Sequence, residues 1–211
     1  VVGDALDDVM LQEEKLEPSR ALSIALQVAE AMEEAHRKKI LHRNLRPSHI
    51  IVRQRASDDF VKIIGFGLAR AVPGKTDEGK EIQDDPYLPP EVREGAPHEE
   101  RSDIWSLGAI LYEMLAGQPP EEDRSVQDLV PDLPMAIVET VDAMVQTDPE
   151  QRPADMGRVA MLLEQAAHEA GYTTDITGRI TLPADEVLER WSSPPPATTR
   201  DPAPPIPQRP S

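Results

Sequence analysis

The chain has 211 residues, of which 39% are hydrophobic and only 3% aromatic, so we expect one domain with an aliphatic core, a composition that favours helices. Its formal net charge of −17 argues against nucleic acid or an anionic membrane as a partner, because phosphate is bound by clustered Lys and Arg, and it favours a protein partner with a basic surface. The absence of cysteine excludes disulfides and thiolate chemistry and suits a cytoplasmic location, and no apolar run reaches membrane-spanning length.

Two helices are predicted near the start of the chain. Residues 1–15 predict a short, partly exposed helix, because a few apolar residues are spaced among acids. A second helix is predicted to begin at Pro18, since proline is favoured in the first helical position, and to end near Arg37, whose charge suits a helix C-terminus. Apolar residues at steps of three and four form a wide stripe, which predicts burial on most of its circumference.

Short strands are predicted after the second helix. The β-rich runs lie at residues 40–41, 50–52 and 61–64. The last two runs are joined by a polar turn that contains Asp58 and Asp59, and we expect both carboxylates to be solvated.

A long loop and a buried helix are predicted next. Residues 70–100 are polar, acidic and rich in Pro and Gly, as in a long loop. Ser102 and Asp103 predict the cap of a strongly apolar helix, which should end at Gly117. A helix that apolar should be the buried axis of a helical domain.

The C-terminal part predicts helices followed by a tail. Two helices are expected, at about residues 134–146 and 153–170. An extension over residues 171–193 could hold one short helix at 183–191. Residues 194–211 are mostly proline and small polar residues, which predicts a disordered tail.

Five short motifs give the sequence a more specific interpretation. Residues 42–49 read H-R-N-L-R-P-S-H and resemble the protein kinase catalytic loop, H-R-D-L-x-x-x-N. Residues 62–69 are similar to the D-F-G segment with glycine in place of aspartate, and residues 87–91 resemble Y-x-A-P-E. Residues 102–108 are similar to the start of the central helix of the C-terminal lobe, and residues 148–153 match D-P-x-x-R-P. The order and spacing of these motifs make the resemblance specific.

The resemblance implies a fold and a domain boundary. The fold would be mainly α, with an α+β part: the C-terminal lobe of a protein kinase over residues 1–170, with small β-hairpins near the catalytic loop. The relatives expected are bacterial-type serine/threonine kinases. The glycine-rich loop and the lysine and glutamate of the N-terminal lobe are absent from this chain, which fits either a truncated sequence or a protein without that lobe.

Framework residues of the family can be carried over one by one. Glu91 and Arg152 should form a buried ion pair that ties the activation segment to the helical core, and Asp103 should hold the backbone of the catalytic loop. His42 and Phe66 should form the lower half of the hydrophobic stack between the lobes. The residues expected to have structural roles are therefore His42, Arg43, Phe66, Glu91, Asp103 and Arg152.

The residues that should carry the chemistry are replaced. In this family one aspartate accepts the proton of the substrate hydroxyl, while another aspartate and an asparagine hold magnesium. The proton-acceptor position is Asn44, whose amide takes no proton near neutral pH, and the metal positions are Gly65 and His49, neither of which suits magnesium. Arg46 stands at the phosphate-binding lysine, and Ile51 would lie under an adenine ring if one were bound.

One acidic residue could add to the loss of activity. Asp84 falls where the family usually has a threonine that contacts the catalytic loop. We expect Asp84 to pair with Arg46 and so to block the phosphate site.

These substitutions predict a catalytically impaired kinase-like domain, a pseudokinase, with a regulatory or scaffolding role and no cofactor. Two alternatives stay open. A divergent active serine/threonine kinase would use ATP and magnesium and would have its N-terminal lobe upstream of Val1. A scaffold would act through its proline-rich tail, where residues 204–209 fit a P-x-x-P-x-R polyproline ligand.

Overall fold

The computed structural model describes residues 3–55, 58–66, 85–121, 124–174 and 180–181. Within these residues the fold is mainly helical, with one three-stranded and one two-stranded antiparallel sheet. The predicted mainly α fold with small β-hairpins is confirmed. Across the same residues, no helix is both long enough and apolar enough to cross a membrane.

The chain begins with a short strand and a short helix. Strand β1 (Asp4–Ala5) runs directly into helix α1 (Leu6–Glu13). The helix buries Leu6 and Val9 but leaves Leu11 83% exposed, so the predicted partly exposed helix is confirmed. Strand β1 was not predicted, because two residues are too few to show an alternating pattern.

Helix α2 (Pro18–Arg37) is the long N-terminal helix of the core. It has proline at its first position and ends at Arg37, as predicted. Eleven of its 20 residues are buried, which agrees with the wide apolar stripe in the sequence. The helix therefore packs on several sides at once rather than along a single seam.

Two strands follow the catalytic-loop segment. Strand β2 (Ile50–Arg55) pairs antiparallel with β3 (Asp58–Ile63), and β1 pairs with the other edge of β2 so that Ala5 lies opposite Ile51. These two strands confirm the second and third predicted runs. The sheet carries the catalytic-loop segment at one end, because β2 begins directly after it.

Two predictions in this region were wrong. The run 40–41 is not a strand: the amide of Ile40 donates to the carbonyl of Ala35 at the end of α2, and its side chain is 44% exposed with no neighbouring strand to pair with. Asp59 lies in β3 rather than in a solvated turn, and only 7% of it is exposed. Arg20 of α2 pairs with the Asp59 carboxylate, which explains why a charged residue is tolerated there.

The central helix of the domain is almost completely buried. After the short helix α3 (Pro90–Arg93), helix α4 (Glu100–Ala116) buries fourteen of its 17 residues. The predicted cap was misplaced, because Glu99 is the N-cap and Ser102 completes a capping box three residues later. Gly117 ends the helix as predicted, with φ of 77°, and a Cβ there would lie 2.9 Å from a backbone oxygen.

Two helices complete the core. Helices α5 (Met135–Met144) and α6 (Met156–Glu169) lie within the predicted ranges. Helix α6 packs against α2 and α5, and α2 and α5 also contact α4. The apolar axis predicted for α4 is therefore surrounded by the other long helices.

The chain beyond α6 differs from the prediction in one respect. Strands β4 (Thr173–Thr174) and β5 (Ile180–Thr181) form a small hairpin in the predicted extension. The helix predicted at 183–191 and the tail at 194–211 lie outside the described residues.

Candidate functional site

The catalytic-loop segment is fixed to helix α4 by one buried carboxylate. Asp103, in the first turn of α4, accepts hydrogen bonds from the backbone amides of His42 at 2.9 Å and Arg43 at 3.0 Å. The side chains of His36 and His98 donate to it at 2.9 and 3.2 Å. Burial alone would raise the pKa of Asp103, but these hydrogen bonds lower it far below its usual value. The carboxylate stays ionised and holds the loop, the role that the resemblance implied.

An ion pair joins helix α3 to the helical core. Both terminal nitrogens of Arg152 donate to the Glu91 carboxylate at 2.8 Å, a bidentate contact, and Arg152 also stacks over the Trp105 ring at 5.0 Å. Burial would raise the pKa of Glu91, but hydrogen bonds from Arg152 and Ser102 lower it below its usual value. The two residues expected to pair are therefore in direct contact.

His42 makes two hydrogen bonds inside the candidate site. Its Nε2–H donates to the carbonyl of Ile64 at 2.9 Å, and its Nδ1 accepts from the backbone amide of Asn44 at 3.4 Å. Burial lowers the pKa of His42, which agrees with the neutral ring that these two contacts require. The ring centroid lies 4.9 Å from that of Phe66, so the two residues of the expected stack touch.

His49, at one of the two metal positions, lies beside Gly65, at the other. A short 3-10 turn, Pro47–His49, aims its imidazole at Gly65, and a Cβ at Gly65 would lie 3.4 Å from the ring. Nδ1 of His49 donates to the backbone carbonyl of Asn44 at 2.8 Å. Gly65 has φ of 85°, a backbone conformation that strains any residue with a side chain. An aspartate at this position would therefore be strained by its backbone conformation, with its Cβ in van der Waals contact with the imidazole.

The residues at these positions do not fit a magnesium ion. Magnesium requires several oxygen ligands in near-octahedral geometry, and the positions offer an imidazole, an amide and a glycine. In the part of the chain that the structure describes, no cluster of three or more His, Asp or Glu residues could hold a metal ion. No magnesium-dependent step is therefore assigned to these residues.

Arg46 forms a buried ion pair with a residue that sequence reasoning did not select. Its Nη2 donates to the Asp85 carboxylate at 2.7 Å, and the side chains are 5% and 2% exposed. Asp84, the predicted partner, lies outside the described residues. The guanidinium carbon of Arg46 also lies 5.8 Å from the centre of the Tyr87 ring. Arg46 therefore pairs with the acid next to the predicted one, and the contact with Asp84 itself stays a prediction.

Tyr87 connects this ion pair to helix α4. Its hydroxyl donates to the Glu113 carboxylate, and its backbone amide donates to Asp85 at 3.1 Å. Burial raises the pKa of the Tyr87 hydroxyl, and burial also raises the pKa of Glu113. Arg46 thus contacts the Asp85 carboxylate on one side and the Tyr87 ring on another.

Ile51, the proposed adenine floor, is half-buried on strand β2. The backbone of Gly3 passes close above it, since a Cβ at Gly3 would lie 2.9 Å from the Ile51 side chain. The structure thus brings Ile51 near the start of the chain. Its contact with a nucleotide stays a prediction.

A buried helical axis, a catalytic-loop segment anchored on it and the Glu91–Arg152 pair define the C-terminal lobe of a kinase-like domain. Comparison with known proteins gives the family. The family model described as the protein kinase domain matches residues 1–168. The chain belongs to the protein kinase family.

Several curated relatives are bacterial proteins named as serine/threonine kinases. A probable serine/threonine-protein kinase of Corynebacterium efficiens is 29% identical over 94% of this chain and 34% of the relative. PknB of Corynebacterium glutamicum is 32% identical over 76% of this chain and 27% of the relative, and PknD of Mycobacterium tuberculosis is 33% identical over 77% and 23%. This chain thus spans about a third or less of these relatives' length.

A solved structure has the same fold. The kinase domain of PknI from Mycobacterium tuberculosis superposes with a TM-score of 0.61 at 22% identity, over 78% of this chain and 62% of that domain. At this identity the likeness concerns the fold alone.

Sequence reasoning missed three residues of the candidate site. Neither His36 nor His98 was predicted to belong to the site, yet both bind Asp103. His36 could have been linked to the core, because it lies one turn after buried Met32 on the inner face of α2. For His98 and Asp85 no comparable signal exists, since both lie in loops without periodicity.

Proposed function

We propose that this chain is a pseudokinase lobe, a protein kinase-like domain that does not transfer phosphate and that acts in regulation or as a scaffold by binding another protein. One observation carries the proposal. The imidazole of His49 lies against Gly65 and is hydrogen-bonded to the carbonyl of Asn44, so the two metal positions and the proton-acceptor position contact one another without an oxygen-rich ligand set.

The size of the expected loss supports this proposal. A missing general base typically slows a reaction by about 10²–10⁴-fold. Loss of magnesium removes charge stabilisation that the base does not supply. The two effects do not simply multiply, but neither compensates for the other.

The intact framework supports a role in binding. Asp103 still anchors the loop and Glu91 still pairs with Arg152, so the shape of the lobe that a partner would bind is preserved. The net charge of −17 favours a partner with a basic surface. A cytoplasmic location is part of the same proposal, because a chain without cysteine suits a reducing compartment.

A second candidate is a divergent active serine/threonine kinase. It is favoured by the names of the curated relatives and by the preserved framework. This function would require ATP, magnesium and an N-terminal lobe, with carboxylates supplied from outside the described residues.

A phosphotransfer assay on the full-length protein separates the two candidates. Labelled ATP, magnesium and a general protein substrate are incubated with the natural protein and with its Arg46→Ala variant. The pseudokinase proposal predicts no product above background in either sample. Product that forms with the natural protein and disappears with Arg46→Ala would establish the enzyme instead.

A further inference from the structure

The carboxylate of Asp85, which binds Arg46, is also fixed by the turn in which it lies. The backbone amide of Tyr87 donates to Oδ1 of Asp85 at 3.1 Å, and the amide of Leu88 donates to its carbonyl at 3.2 Å. These two contacts form a tight turn that leaves Oδ2 for the guanidinium of Arg46 at 2.7 Å. The geometry is therefore a built feature of this turn rather than a chance contact of two surface charges.

A guanidinium in this setting needs an anion. The Arg46 side chain is only 5% exposed, and a buried cation is strongly unfavourable without a charged partner. Carboxylate and phosphate groups both present oxygens that accept from guanidinium nitrogens, and both make charge-assisted hydrogen bonds. A carboxylate of the protein itself can therefore take the place of a phosphoryl group.

We propose that Asp85 is an internal substitute for phosphate: its carboxylate fills the oxyanion site of Arg46 and excludes a phosphoryl group from the catalytic-loop segment. The inference deepens the proposed function, on which its biological meaning rests. Removal of the Asp85 charge would convert the closed site into a site for inorganic phosphate or a phosphoryl oxyanion.

The surroundings of the pair leave little room for both anions. The ring of Tyr87 lies 5.8 Å from the guanidinium carbon of Arg46, and its hydroxyl is tied to Glu113 on α4. Asp85 itself is buried, with 2% of its side chain exposed. Phosphate must therefore displace the carboxylate of Asp85 rather than bind beside it.

The test uses Asp85→Asn, which keeps the shape of the side chain and the oxygen that accepts from Tyr87 but removes the charge. Melting temperatures are compared in about 0.1 M phosphate and in chloride of equal ionic strength. For a site with a dissociation constant of about 1 mM, the variant should melt about 5–11 °C higher in phosphate than in chloride. The natural protein should show no such difference.

Two further variants locate the effect. Arg46→Gln/Asp85→Asn lacks the cation and should show no phosphate-specific shift. Asp132→Asn removes an exposed acid elsewhere on the lobe and should behave as the natural protein. A phosphate response of Asp132→Asn equal to that of Asp85→Asn, or the absence of a phosphate-specific shift in folded Asp85→Asn, would overturn the proposal.

Other outcomes are equally decisive. If Asp85→Asn does not fold in chloride, recovery of its melting transition in phosphate supports the proposal; if it folds in neither, Asp85→Thr is measured in its place. Stabilisation of the natural protein by phosphate that is lost in an Arg46 variant would contradict the proposal, because phosphate could then bind Arg46 while Asp85 is present. The melting experiment does not measure phosphate transfer. A negative result would therefore contradict this inference without contradicting the proposed function. Conversely, an active enzyme could still show a phosphate response of Asp85→Asn.

Discussion

Each residue that replaces the catalytic set has a contact of its own within the protein. His49 donates to the carbonyl of Asn44 and lies against Gly65, while Arg46 is bound to Asp85. A single reversal, such as Asn44→Asp, would therefore restore one group and leave the others engaged elsewhere. The pseudokinase proposal thus places the loss of activity in several contacts rather than in one residue.

The contact of His49 should be measurable as stability. His49→Ala removes a hydrogen bond and ring contacts with His42 and Gly65, which should lower the free energy of unfolding by about 1–3 kcal/mol. His168→Ala, at an exposed histidine of α6, serves as the matched control and should change it by less than about 0.5 kcal/mol. Urea denaturation gives both values. Equal midpoints for the two variants would show that the His49 contacts are not stabilising.

The burial of His42 predicts a pH dependence. Its pKa is lowered in the folded state, so the unfolded chain binds the proton more readily. Its contribution to stability is complete above the unfolded pKa, about 6.5, and is lost as the pH falls below that value. The melting temperature of the natural protein should therefore fall more steeply between about pH 7 and about pH 5 than that of His42→Phe, which cannot titrate. Parallel pH profiles would contradict this assignment.

At the scale of elements, long helices were predicted well because a buried apolar stripe is a local signal. Helices α2 and α4 to α6 follow such stripes, and their ends lie within a few residues of the prediction apart from the misplaced cap of α4. The two-residue strands β1, β4 and β5 were missed, since only a distant pairing partner defines them. Residues 40–41 show the reverse case: they favour strand but have no partner.

The contacts of the candidate site were likewise predicted only in part. Motif spacing led to the pairs Glu91–Arg152 and His42–Phe66, which are in contact. It did not lead to the contact of Arg46 with Asp85, because that contact depends on a turn in which the Tyr87 amide binds the Asp85 carboxylate, and the predicted contact with Asp84 stays a prediction. Side-chain direction inside an irregular loop is not encoded by spacing.

The ion pair that joins α3 to the core gives a prediction at this scale. Arg152→Met leaves Glu91 half-buried without its cation and should lower the free energy of unfolding by about 3–5 kcal/mol. The double variant Glu91→Met/Arg152→Met should recover part of this loss, because no buried charge remains.

The exposed pair of Arg124 and Glu121 is the control, and Arg124→Met should change stability by less than about 1 kcal/mol. Denaturant titrations measure all of these variants. Strictly additive effects of the two single changes at Glu91 and Arg152 would mean that the residues are not coupled.

For the whole molecule, the core and the family match coincide. The family match ends at residue 168, one residue before the end of α6, so it covers nearly all of the long helices that surround α4. The acidic charge of the chain is compatible with a basic protein partner. Stability and partner binding should therefore both belong to the lobe rather than to the proline-rich tail.

Deletion of residues 194–211 tests this division. We expect the melting temperature to change by less than about 1 °C, because the described core helices all end by Glu169. Differential scanning calorimetry of the full chain and the shortened chain provides the comparison. A decrease of several degrees would show that the tail is part of the folded domain, and loss of partner binding with unchanged melting would favour the scaffold alternative.

The proposed function requires that Asn44, His49 and Gly65 do not support magnesium and phosphate chemistry. The most direct measurement is ATP binding by the full-length protein, by calorimetric titration with and without magnesium. We expect magnesium to leave the affinity for ATP unchanged within about twofold, or ATP not to bind at all. An affinity that rises tenfold or more with magnesium, and falls back when His49 is changed to alanine, would contradict the loss of the metal site.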